Sequence, residues 1–208
     1  MITLGAMACA MPLDAQAPDV TARIETQLAT PTAACGDFAQ AKRLVGLTRP
    51  VASTGRFCLV AGQGLVWTTV TPFPGRLHVQ RGEIVEWQDG RVARRLTARD
   101  EPSIGVVTDL LLAMVGGDFA KLRRTFTIDA TLDAGRWRAT LVPRDAALRQ
   151  VVGSIALRGD SLVRAVDVSE ASGDRTELAF TGVTTGLEAL RPDEARLLGA
   201  RAARGAPR

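Results

Sequence analysis

Apolar residues recur at every second position over short runs, and a turn closes each run. That alternation restricts this chain to an antiparallel sheet more firmly than any other feature of it. The stretch from Gly62 to Val79 displays it most fully. Gly62-Gln63-Gly64 turns the chain, Leu65 and Trp67 share one face of a strand, Pro72-Phe73-Pro74-Gly75 breaks that strand, and a second begins at Arg76. β-Branched Val66, Thr68, Thr69 and Val70 fill the same run, as a strand with two different faces requires.

The same reading predicts strands over Phe38–Leu44, Val51–Ala61, Leu65–Thr71, Arg76–Gln80, Glu83–Gln88 and Arg91–Ala98. After an interruption it predicts Thr125–Asp133, Arg136–Val142, Gly153–Arg158, Leu162–Glu170 and Arg175–Val183. Gly82, Asp89-Gly90, Asp133-Ala134-Gly135, Gly159-Asp160-Ser161 and Ser172-Gly173-Asp174 supply tight turns. The interruption, Pro102 to Val115, begins after Asp100-Glu101 and stops at Gly116-Gly117, which is helix punctuation. Ile104, Val107, Leu111 and Met114 make one apolar stripe on it, and Val106, Leu110 and Ala113 a second. A helix apolar on two sides must be covered on both, or must cover something that comes and goes. Phe119 to Arg124 adds a short helical turn, and Pro192 to Arg201 a terminal helix. A meander of about eleven strands cannot stay flat; it curls into an incomplete, half-open antiparallel β-barrel with a helical lid.

At 208 residues a single domain with a sizeable core is expected. The net charge is only +4, and Lys42 and Lys121 are the sole lysines among scattered arginines. Such mild basicity does not make a nucleic-acid footprint, so no nucleic-acid partner is expected. Met1 to Pro12 is apolar but too short to span a bilayer, and Ala15-Gln16-Ala17 resembles a small-residue cleavage site. Residues 1–17 are therefore expected to be a signal peptide lacking its basic start, and 18–208 one exported domain in the periplasm. Cys9 follows Ala6-Met7-Ala8, a poor lipid-attachment signal, and is expected to leave with that segment.

Folding the first hairpin about Gly46–Pro50 sets Cys35 opposite Cys58 and, in the same register, Asp37 opposite Arg56. A disulfide between Cys35 and Cys58 follows in an oxidising compartment. Two buried thiols are the alternative, because a register shift of two residues would remove the bridge.

Chemical motifs are weak throughout. His78 stands in a strand with no serine or cysteine motif beside it. Asp100-Glu101 and Asp193-Glu194 precede helices, where acids serve the helix dipole. Gly62-Gln63-Gly64 lacks the rest of a dinucleotide loop, and Arg158-Gly159-Asp160 is what a hairpin turn looks like. With one His and two cysteines expected to be bridged, no metal set, no cofactor and no enzyme activity are expected.

Several short motifs occur together in order. They are Phe38-x-Gln40-x-Lys42-x-Leu44, Arg49-Pro50, Ser53-x-Gly55-x-Phe57, Gly64-Leu65-x-Trp67 and Pro72-Phe73. Gly117-Asp118, Trp137-x-x-x-Leu141-x-Pro143 and Gly173-Asp174-x-Thr176 complete them. In these the chain resembles the LolA-like outer-membrane lipoprotein carriers of Gram-negative bacteria, and more closely their divergent LolA-related branch. The resemblance implies a monomeric periplasmic carrier of lipoprotein acyl chains or a related lipid. It also implies an inner-membrane donor complex and an outer-membrane acceptor. The cavity would be lined by Phe57, Leu59, Leu65, Trp67, Leu77, Val79, Val85 and Trp87. Ile104, Val107, Leu110, Leu111 and Met114 would form the lid. Better-known carriers of this type place an Arg-Pro just before the Trp-bearing strand to tether the lid. Ala61-Gly62-Gln63-Gly64 stands there instead, and Arg49-Pro50 comes one strand too early, so lid control is expected to differ. A sensing scaffold for a lipid or a protein on the same half-barrel is the alternative function. A solid dry core is the alternative reading of the strand face.

Overall fold

The structure, a computed structural model, describes residues 19–200. The expected signal peptide and Cys9 lie outside them. The elements run α1 (Val20–Gln27), β1 (Ala33–Arg43), β2 (Val51–Val60), β3 (Gly64–Thr71), β4 (Gly75–Gln80), β5 (Glu83–Gln88) and β6 (Arg91–Thr97). They continue with α2 (Ser103–Gly116), α3 (Phe119–Thr125), β7 (Phe126–Asp133), β8 (Arg136–Pro143), α4 (Ala146–Arg149), β9 (Val152–Gly159), β10 (Val163–Glu170) and β11 (Arg175–Thr185). A 3₁₀ turn at Leu187–Ala189 and α5 (Pro192–Leu197) end the described chain.

All eleven strands form one antiparallel sheet in the order β6-β5-β4-β3-β2-β1-β11-β10-β9-β8-β7. It is not closed into a barrel. The two edge strands, β6 and β7, are consecutive in the chain. The segment joining them, α2 and α3, must therefore cross from one edge to the other, and it crosses the apolar face. Two-residue turns with both φ positive, Asp89-Gly90 (51° and 75°) and Ala134-Gly135 (45° and 76°), match the twist of the hairpins they close.

The main core lies between that face and the helices. Phe38, Phe57, Leu65 and Val79 on the N-terminal arm and Trp137, Leu141, Leu157 and Phe180 on the C-terminal arm pack with Ile24 of α1, Ala113 of α2 and Phe119 and Leu122 of α3. A smaller cluster on the opposite face joins Cys35, Cys58, Val60 and Val66 to Leu198 just after α5. Helix α1 was absent from the sequence reading. It rests on Ile24, fully buried, and on Asp19, whose carboxylate accepts from the Thr21 N–H at the N-cap. The first strand starts at Ala33, ahead of the expected Phe38, and so includes Cys35.

Candidate functional site

Helix α2 covers the concave face and is the natural starting point. Pro102 precedes it, and Gly117 ends it in the left-handed region (φ 69°), where its N–H reaches back to the Met114 carbonyl. The predicted lid residues divide between the two sides of the helix. Val107 is 50% exposed and Val106 55%, whereas Ile104, Thr108 and Ala113 are buried. Leu110, Leu111 and Met114 pack half-buried against the core. Thr108, with no exposed surface, is the polar residue that apolar counting passed over. Its Oγ1 donates to the Ile104 carbonyl (2.8 Å) and accepts from the Gly82 N–H (2.9 Å) in the β4–β5 turn. Beside it Arg81 Nε lies 3.4 Å from Asp109 Oδ1. The β4–β5 turn thus holds the helix, through the Gly82 N–H and Arg81.

Of the eight strand residues expected on one face, six share it. Leu65 pairs with Val79 and Trp67 with Leu77, while Phe57 and Leu59 face Trp67 and Leu65 from β2. Val85 and Trp87 do not join them. The β4–β5 connection has two residues, Arg81 and Gly82, so Val79 pairs with Ile84, His78 with Val85 and Arg76 with Trp87. An odd register sum exchanges the faces, and Ile84 takes the inward place expected of Val85.

The six inward residues are mostly packed. Phe38 stacks on Trp67 with ring centroids 3.9 Å apart, and Phe57 meets Phe180 at 4.7 Å. Open space lies further along, beneath the C-terminal end of α2, in a cavity of about 450 Å³. Leu59 reaches it, as do Leu112, Val115, Phe119 and Val163; Leu65, Trp67, Leu77 and Val79 do not. The Ala61–Gly64 turn and the Gly116–Gly117 helix end form its rim. Glu25, Arg81, Asp109, Asp118 and Lys121 also line it. Each is ion-paired: Arg81 to Asp109, Lys121 to Asp118 (3.5 Å) and Glu25 to Arg123 (2.6 Å).

On the outer face, Cys35 and Cys58 pair across β1 and β2 and are joined as a disulfide. Asp37 pairs in register with Arg56, but the Arg56 side chain goes elsewhere. Its Nε donates to Glu194 Oε1 (2.9 Å) and its Nη2 to the Ala189 carbonyl (2.8 Å). Glu194, only 2% exposed, also accepts from the Arg191 N–H (2.8 Å) at the start of α5. Both sulfurs and this carboxylate converge, but the sulfurs are bonded to each other and the carboxylate to Arg56, which leaves no ligand set for a metal. His78 is buried between Val66 and Val85 with its Nε2 unpartnered. Burial holds its pKa below the ordinary 6.5, with smaller opposing pulls from Glu83 upward and Arg95 downward. It has no nucleophile beside it in either paired strand.

An open antiparallel sheet whose apolar face is crossed by helices defines a half-barrel binding fold. The family model described as outer membrane lipoprotein carrier protein LolA-like matches residues 13–199, and the chain belongs to that family. None of the curated proteins matches it. Among solved structures it is similar to a LolA superfamily protein from Nitrosomonas europaea, at 7% identity over 85% of this chain and 94% of that one, TM-score 0.45. It is similar as well to the Pseudomonas aeruginosa MucA/MucB complex, at 15% identity over 86% of this chain, TM-score 0.47, spanning 60% of that chain. A DUF1329 family protein from Desulfovibrio piger follows at 9% identity, covering 81% and 91%, TM-score 0.41.

Proposed function

We propose that this chain is a periplasmic carrier that holds acyl chains of lipoproteins or a related lipid between its sheet and α2, and passes them from the inner to the outer membrane. One observation carries the reading: an apolar sheet face is covered by a separate helix, and unfilled apolar space remains beneath that helix's C-terminal end. Family membership supports it. Residues 1–17 serve as the export signal and 18–208 as the carrier domain, with a donor complex and an acceptor at the two membranes.

The energetics suit a reversible carrier. Half-buried Leu110, Leu111 and Met114 gain about 1.5–3 kcal/mol each only when fully covered, and an acyl chain gains about 0.8 kcal/mol per methylene against the same surface. Cargo in the open space and cover from the helix thus draw on one apolar face, and the helix can stay docked over a bound chain. No nucleophile–base pair or metal set accompanies the cavity among the described residues, so the reading is binding rather than chemistry.

The test is mass spectrometry of organic extracts from protein isolated from its native envelope, followed by transfer of the bound lipid between donor and acceptor membrane vesicles. An acyl lipid that co-purifies and moves on is the expected result. Protein that is always lipid-free and binds no acyl probe refutes it. Lipid that binds but never transfers, in a stable complex with another protein, would instead make the chain a sensing scaffold.

A further inference from the structure

Resting on the carrier reading, we infer that the cavity under the end of α2 takes one single-chain amphiphile with the helix still docked, and that chain length rather than head-group charge sets its affinity. Three observations lead there. The first is size. At the roughly 30 Å³ that a water molecule occupies in the liquid, 450 Å³ corresponds to about fifteen methylene-sized groups, the volume of one long acyl chain.

The second is enclosure. Along β2 the next inward residue beyond Leu59 is Phe57, which belongs to the packed rings with Phe180 and Trp67, so the cavity has a floor there. Above, the buried Thr108 hydroxyl holds the middle of α2 against the Gly82 N–H of the part-buried β4–β5 turn. Widening the cavity to a second chain would break that bond and leave the Gly82 N–H without its partner.

The third is the rim. Its charges are the three ion pairs of Arg81, Lys121 and Glu25, so a charged head group meets no uncompensated charge, although Asp109 Oδ1, 3.4 Å from Arg81 Nε, accepts no hydrogen bond. Affinity is left to the tail.

The experiment displaces a fluorescent acyl probe from the full chain with neutral monoacylglycerols of about eight to about twenty-two carbons, alongside a diacylglycerol. Fatty acids and alkyltrimethylammonium ions of matched length supply the charged heads. At about 0.8 kcal/mol per methylene, affinity should rise roughly fourfold per carbon and level off near fifteen or sixteen. The diacyl lipid should bind no tighter than its monoacyl counterpart, and charged heads should change affinity less than about threefold. A rise that continues through the longest chains, a diacyl lipid that binds more tightly, or a charge preference above that threefold overturns the inference while leaving the carrier reading intact. If no acyl compound displaces or binds, the carrier reading falls and takes the inference with it.

Discussion

Glu194 illustrates how one side chain can hold a segment that the sequence leaves loosely specified. It satisfies an N–H at the start of α5 and neutralises Arg56 of β2, whose guanidinium is largely buried at 18% exposure. Removing one member of a buried pair strands the other, so Glu194→Ala should cost about 3 kcal/mol in urea unfolding. Asp193→Ala next door, whose carboxylate is half exposed, should cost under about 1 kcal/mol. Equal losses would show that the pair is not what holds α5. The register of Asp37 with Arg56 was legible in the sequence; the true partner, 138 residues away, was not, because strand alternation says nothing of what docks on a face. His78 allows a second test, since the chain has a single His. Its folded-state pKa is depressed by burial, so the neutral form is favoured in the fold and the unfolded chain binds more protons below the ordinary 6.5. That contribution to stability is complete above pH 6.5 and is lost as pH falls toward the lower folded value. Unfolding free energy should therefore drop as pH falls below the ordinary 6.5, and His78→Gln should flatten the drop. An unchanged slope in the variant would assign the titration elsewhere.

At the scale of elements, α2 shows both what alternation and punctuation reveal and where they stop. The helix was legible from its flanking acids, Pro102 and the glycines, and it begins and ends within a residue of expectation. Its orientation was not, because a sequence apolar on two sides offers no moment to choose by. The buried side is picked by Thr108, a residue that apolar counting ignores, through a turn N–H supplied by another element. The strand faces tell a similar story. Parity carries correctly across the Ala61–Gln63 and Pro72–Pro74 connections and fails at Arg81-Gly82, where a connection of two residues reverses it and sends Trp87 outward. Counting turn residues would have caught this; counting hydrophobic ones could not. The consequence for α2 is testable. Thr108→Val keeps the shape, removes the acceptor and leaves the part-buried Gly82 N–H without its partner, at about 1–2 kcal/mol. Amide exchange in α2 should speed up by roughly the tenfold that 1.4 kcal/mol allows, and Thr108→Ser should restore protection. Val and wild-type chains with the same exchange would mean that the helix is held by its apolar contacts alone.

For the whole molecule, the arrangement follows from one topological fact: the first and last strands, β1 and β11, pair at the centre of the sheet, and the strands at mid-chain form its edges. The two arms are thus joined by a single strand pair on one side and by the α2–α3 crossing on the other. A cover over the concave face is built into that connectivity, whereas the extent of the hollow beneath it depends on which rings meet, and ring packing is invisible to pattern. The disulfide sits next to this central seam, within the N-terminal arm and on the face away from the cavity, and ties β1 to β2 beneath the segment around α5. Its residues are 23 apart, and closing a loop of that length in the unfolded chain is worth about 3 kcal/mol. Replacing Cys35 and Cys58 together by Ala should lower unfolding free energy by about that amount. Because the inward residues of β2 and β3 point the other way, the dependence of acyl affinity on chain length should be the same in the double variant as in the parent. A variant that loses the length cutoff along with its stability would mean that the two faces are mechanically coupled and that the β1–β2 bridge, not the Thr108 contact, sets the size of the hollow.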